Sequence, residues 1–257
     1  MLSDRAGLLD HEWIRRYRQL AVLAALAFAS LICLALLAVR LVYARNHDFS
    51  FLAWNLFLAW LPMLCSLAAY NAYKRRNRLS WLVVAGCALA WLLFFPNAPY
   101  ILTDIMHLAP RPAAPLWFDV LLVMAFAWTG LCLGLVSLLL MQALVQRAAG
   151  RLVGWGLALG VLGISGFGIY IGRFLRWNSW DVLISPGGLA ADLLEAAQHP
   201  LLHARIFVFS GLFSVFLISA YFMFVALTHL RMDAPPDRTQ PSLAQYRNGK
   251  NLRTRRR

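Results

Sequence analysis

Apolar residues fall into six long blocks along the chain, at about 20–39, 51–70, 79–95, 116–141, 152–171 and 206–228, separated by short polar or proline-bearing stretches. A hydrocarbon core about 30 Å thick is crossed by roughly 20 residues of helix, so each block has the length of a membrane span. The pattern predicts an all-α fold, a polytopic membrane helix bundle of about six transmembrane helices plus a short interfacial helix. The first block follows a charged leader, is too long for a signal-peptide core and is followed by another span, so it reads as retained. The expected organisation is a leader at 1–19, a transmembrane domain at 20–228 and a polybasic disordered tail at 229–257.

Composition agrees with this. The chain is 61% apolar and 14% charged, with a mean hydropathy of +0.64, where soluble domains run about 45–50% and about 25%. A water-soluble fold is excluded. The net charge of +13 first suggests nucleic acid, but its distribution is that of a topology signal. With an even number of spans, both termini, the 74–78 run and Arg147/Arg151 share one side, which holds eighteen of the 24 basic residues. The other side holds Arg40, Arg45, Arg111, Arg173, Arg176 and Arg205. Basic residues near spans resist translocation, which predicts cytoplasmic termini and a bacterial cytoplasmic (inner) membrane location. The partners expected are the bilayer and, at the basic tail, anionic lipids, with no nucleic acid.

Cys33, Cys65, Cys87 and Cys132 lie inside the apolar blocks without paired spacing, so neither a disulfide framework nor a zinc site is expected. Glycines crowd the fifth block, with Gly156/Gly160 and Gly168/Gly172 four residues apart, and small residues let helices approach closely in lipid. This span is expected at the centre of the bundle, with Gly130/Gly134 on the fourth span as its partner. Pro62 is expected to kink the second span.

Two segments carry chemistry, both on the side opposite the termini. The first, FFPNAPYILTDIMHLAP at 94–110, turns at Pro96 and Pro99 and then restarts a short helix. At about 100° per residue, Tyr100, Thr103, Asp104 and His107 share one face and the apolar residues cover the rest, an interfacial amphipathic helix. A carboxylate, an imidazole, a hydroxyl and a phenol are groups of acid/base chemistry, and Asp104 and His107 are the candidate catalytic pair. Asp and His alone are too few ligands for a metal, so no divalent cofactor is supported and the cofactor is unknown. In the second segment, IGRFLRWNSWDVLISPGG at 171–188, an outward continuation of the fifth helix would align Arg173, Arg176, Trp177, Trp180 and Asp181. A helix restarting at Asn178 or Ser179 would dissolve that face. Arg suits phosphate or carboxylate, and indole suits the headgroup depth. The candidate binding set is Asn97, Tyr100, Thr103, Arg173, Arg176, Asn178, Trp180 and Asp181. The competing reading of both segments is a set of Arg–Asp pairs and aromatic anchors that lock outer segments together.

Asp119 either joins the cluster or faces headgroups. Glu195, His199 and His203 have metal-like spacing spoiled by Pro200, and a solvated face is expected there. The stretch FFPNAPYILTDIMHL followed by GIYIGRFLRWNSWDVL resembles a family of uncharacterised bacterial integral membrane proteins, the domain of unknown function 1361, over roughly residues 40–230. The matching residues are Pro96, Asn97, Pro99, Tyr100, Thr103, Asp104 and His107, then Gly172, Arg173, Arg176, Asn178, Ser179, Trp180 and Asp181. The resemblance implies a multi-span membrane protein and brings no activity. The function expected is that of an integral membrane protein whose Asp/His/Arg cluster binds or processes an anionic lipid headgroup or lipid-linked substrate. The alternatives are a structural or assembly subunit, and then a transporter, which is disfavoured because the span centres offer little beyond Asn55, Ser66, Thr129, Ser137 and Ser165.

Overall fold

The computed structural model describes residues 2–75, 77–110, 112, 114–175, 177, 181–198 and 204–229. The fold is all-α, and six helical stretches among the described residues are long and apolar enough to cross a membrane. They lie on α1 (Leu2–Ala44), α2 (Phe51–Tyr73), α3 (Arg78–Phe94) with its extension to His107, α5 (Leu116–Ala149), α6 (Arg151–Tyr170) with its extension to Leu175, and α9 (Ala204–His229). Between them lie α4 (Asn97–Tyr100), α7 (Asp181–Ile184) and α8 (Pro186–Gln198). Helix α1 runs without a break through the charged leader, and the apolar span begins at Gln19. Residues up to Tyr221 form one compact unit; a second begins at Phe222, and its described part is the helical stretch to His229. The polybasic tail from 230 onward lies outside the described residues.

Helix α5 is the centre. Of its most apolar window 61% is buried, against 22–39% for the other five spans, and it packs on α1, α2, α4 and α6. This corrects the expectation that the glycine-rich α6 is central. The helix packing explains the difference: Gly156, Gly160 and Gly163 have nothing within 4 Å of where a Cβ would stand, so that face of α6 is open. The partner of Gly130 and Gly134 is also not α6. A Cβ on Gly130 would meet the Ala98 carbonyl oxygen at 2.7 Å and Ile101 Cδ1 at 2.8 Å, and one on Gly134 would meet the Ala98 Cβ at 3.2 Å. The glycines of α5 thus make a seat for the α4 segment. Those of α6 serve the same segment from the other side, since a Cβ on Gly168 would meet Pro96 Cγ at 3.3 Å and one on Gly172 the Tyr100 ring at 3.4 Å.

Interhelical hydrogen bonds tie the rest. Trp60 Nε1 donates to Ser30 Oγ at 3.1 Å, Trp91 Nε1 donates to Ser137 Oγ at 3.2 Å, and Tyr221 donates to Gln142. Such bonds contribute on average about 0.6 kcal/mol each in a bilayer, so packing dominates. The hydroxyls of Ser66, Ser137 and Ser165 donate to carbonyls of their own helices. Pro62 sits inside α2, which continues past it to Tyr73. Two connections are notably tight. Asn77 caps α3 by accepting from Ser80 N at 2.7 Å, and Gly150, at φ +97°, joins α5 to α6 in a conformation that only glycine adopts readily. These two define one end of the bundle, called the Tyr70 end below. The 45–50 connection, the 3-10 helix Ile101–His107 and the extension of α6 define the other, the His107 end.

Candidate functional site

Pro96 and Pro99 set the first site segment. After α3 the backbone turns through Ala98 N→Phe95 O and Tyr100 N→Pro96 O, and the amide Nδ2 of Asn97 donates to the Phe94 carbonyl at 3.1 Å. One short α turn follows, and Ile101–His107 is then a 3-10 helix rather than the expected α-helix. With three residues per turn, side chains three apart eclipse, so Asp104 stands directly in line with His107, and Tyr100 with Thr103.

Burial here follows depth along the segment rather than azimuth. Ile101 and Asp104 are fully buried, as is Thr103 nearly, whereas Ile105, Met106 and His107 are exposed. The physical reason is the seat on α5. Ala98 and Ile101 pack into the main core with Leu122, Phe126 and Leu133, which draws the first turn into the bundle and leaves the last turn at its surface.

Arg173 closes the site from α6. The helix widens to a π turn over Ile171–Leu175, which places the guanidinium over the segment at 97–107. Its Nε donates to Thr103 Oγ1 at 2.9 Å, one terminal nitrogen to Asp104 Oδ1 at 2.7 Å and the other meets His107 Nε2 at 2.9 Å. Its carbon lies 4.9 Å from the Tyr100 ring centroid, a cation–π contact. From α2, Asn55 Nδ2 donates to the second Asp104 oxygen at 2.8 Å, and the Phe51 ring meets His107 edge-on at 5.0 Å. A guanidinium has no acceptor, so the lone pair of this contact belongs to His107 Nε2 and the proton of a neutral imidazole sits on Nδ1. In this arrangement His107 Nε2 is occupied by Arg173.

The structure therefore brings together Tyr100, Thr103, Asp104, His107 and Arg173. Asn97 gives its amide Nδ2 to the Phe94 carbonyl. Asp181 opens the separate short helix α7, so no continuous face joins it to Arg173. Arg176, Asn178 and Trp180 lie outside the described residues, as do His199 and His203. Among the described residues no group of three His, Cys, Asp or Glu side chains is placed to hold a metal. Asn55 was not among the expected site residues; its signal was an amide four residues inside an apolar span, at the end where Asp104 lies.

Asp119 does not join this cluster. It pairs with Arg40 of α1, Nε to Oδ1 at 2.5 Å and the second nitrogen to Oδ2 at 3.2 Å, with the Phe49 ring 5.3 Å from the guanidinium carbon. Both side chains are sealed, at 0% and 1% exposure, where Arg173 keeps 11%.

No curated protein and no solved structure matches the chain. The family described as a protein of unknown function, DUF1361, matches residues 54–234, a stretch that contains Asn55, the 97–107 segment and Arg173. On that match, and with six membrane-length helices, the chain belongs to the DUF1361 family and is an integral membrane protein.

Proposed function

We propose that this membrane protein holds the anionic group of a lipid headgroup or lipid-linked substrate at the His107 end of its bundle, with Arg173 and His107 as the contacting groups. Asp104, Thr103, Tyr100 and Asn55 are positioning residues that fix the guanidinium. By the same reading both termini are cytoplasmic, in a bacterial inner membrane, the site faces outward, and residues 229–257 form a basic tail that lies on anionic lipid.

The observation that carries this reading is the contrast between two ion pairs at one end of the molecule. Arg40–Asp119 joins two helices and is closed to solvent, which is all a lock requires. Arg173 is held by three side chains and a ring yet stays 11% exposed beside an exposed imidazole. A guanidinium already stripped of rotamer freedom loses little entropy on binding, so its charge-assisted bonds to phosphate or carboxylate carry through to affinity. Acid/base processing by Asp104 and His107 follows binding, since ligand contact with Arg173 releases His107 Nε2. Transport fits less well, because Ser66, Ser137 and Ser165 at the span centres are committed to helix carbonyls.

The test is titration of the purified chain in nanodiscs with short-chain phosphatidic acid, with phosphatidylcholine as reference. Arg173→Gln and His107→Ala are expected to weaken phosphatidic acid binding by about tenfold, roughly 1.4 kcal/mol, with the melting temperature of His107→Ala unchanged. Unaltered binding in both variants, with an early melt for Arg173→Gln, would instead establish the lock reading, favoured by the mutual neutralisation of Arg173 and Asp104.

A further inference from the structure

We propose a second anion site at the Tyr70 end, in which Lys74 and Arg147 hold the phosphate of an anionic glycerophospholipid beside the Tyr70 ring. It goes beyond the function proposed above and rests on different residues. Tyr70 stands in the last turn of α2, 9% exposed. Arg147, in the last turn of α5, donates to its hydroxyl at 3.0 Å, with the guanidinium carbon 5.4 Å from the ring centroid. Lys74 Nζ lies 4.7 Å from the same centroid. Two exposed cations thus converge on one buried aromatic side chain, which limits where they can go.

Among the residues whose side chains are described, neither cation is in an ion pair with a carboxylate. The acidic residues whose side chains the structure describes, Asp48, Asp104, Asp119 and Asp181, are all on segments of the His107 end. Both ion pairs among the described residues are there too. The carbonyl ends of α2 and α5 supply only about half a charge each, which tolerates the cations without neutralising them. A phosphate diester supplies the missing charge and accepts from Lys74 and Arg147 together.

The surroundings favour a lipid over a soluble phosphate. Tyr70 closes an apolar span, and the adjoining start of α3 exposes Leu79, Trp81 and Leu82. One residue further round α2, beside Asn71 and Arg75, a cleft of about 320 Å³ opens toward Leu79 and Val83. It has room for a glycerol backbone and the start of a chain.

The full chain in nanodiscs, titrated with phosphatidylglycerol against phosphatidylcholine and read by native mass spectrometry, tests the assignment. Lys74→Gln and Arg147→Gln are each expected to weaken phosphatidylglycerol binding about five- to tenfold, and Tyr70→Phe less, through release of Arg147. Arg151→Gln removes the same charge at the same end without touching the ring, and is expected to leave binding within about twofold. Equal losses from Arg151→Gln and the other two would mean a diffuse field and overturn the site. Displacement of the lipid by glycerol 3-phosphate at matching concentration would reassign it to a soluble phosphate and overturn the lipid assignment. Should Arg147→Gln fail to fold, the exposed Lys74→Gln carries the test alone. Arg173→Gln and His107→Ala leave this site intact, so the two proposals fail separately.

Discussion

Arg40 and Arg173 show how the same residue type takes two roles through its surroundings. Arg40 lies four residues before the end of α1 and Asp119 three after the start of α5, so the chain separates them widely while the packing of α1 on α5 makes them face each other. Each ion gives up its hydration for the other. Removal of one partner leaves a buried charge alone, and Arg40→Ala or Asp119→Ala is expected to lower stability by about 3–5 kcal/mol. Replacement of both by apolar residues of similar volume, Arg40→Met with Asp119→Leu, is expected to recover most of that loss. Unfolding in mixed micelles measures all three, and an additive double variant would show that the pair does not act as a unit. The Arg173 cluster differs because three of its partners, Thr103, Asp104 and His107, come from one short helix, so the guanidinium reads the shape of that helix as well as its charge.

At the scale of elements, the segment at 96–107 and helix α5 depend on each other. Its polar residues and prolines are evident along the chain, and so is the turn at Pro96 and Pro99. The depth of the segment is set elsewhere, by Gly130 and Gly134 on α5 and by Gly168 and Gly172 on α6. Close approach of a backbone to a helix needs a missing side chain at the contact, and Ala98 takes that place over Gly130. Gly130→Ala puts a methyl group into the Ala98 carbonyl and Ile101, which is expected to cost about 1–3 kcal/mol by overpacking and to shift Asp104 away from Arg173. Gly160→Ala, on the open face of α6, is expected to cost nothing. Melting temperatures of the two variants in detergent check this, and equal losses would place α6 in contacts beyond those of the single chain. Glycine spacing alone suggested that α5 and α6 pack on each other through these residues, because four-residue spacing reports that a face is narrow and says nothing of what lies against it.

For the whole molecule, the strongest expectation concerns orientation. The basic residues of 74–78 and 147–151 lie at the Tyr70 end, and the positive-inside bias assigns that end to the cytoplasm. With the native cysteines replaced, an impermeant maleimide is expected to label Asp48→Cys in intact cells and Arg75→Cys only after permeabilisation. The reverse pattern would invert the molecule and turn the Arg173 site to the inside. Six spans, their approximate limits and the all-α class follow from the sequence by itself, because in hydrocarbon a long apolar run has to satisfy its backbone within itself and a helix does so. The grouping of Tyr100, Thr103, Asp104 and His107 follows as well, since three- and four-residue spacing places them on one side of any helix. The tertiary structure alone decided that the first turn of this segment is drawn into the bundle while His107 stays at its surface, that Arg173 meets Thr103, Asp104 and His107, that Asn55 backs Asp104, and that Asp119 belongs to Arg40. Those are pairings between distant parts of the chain. They are set by which helices pack closely enough to bury a charge, a property of shape and glycine contacts that hydrophobicity along a single chain does not encode.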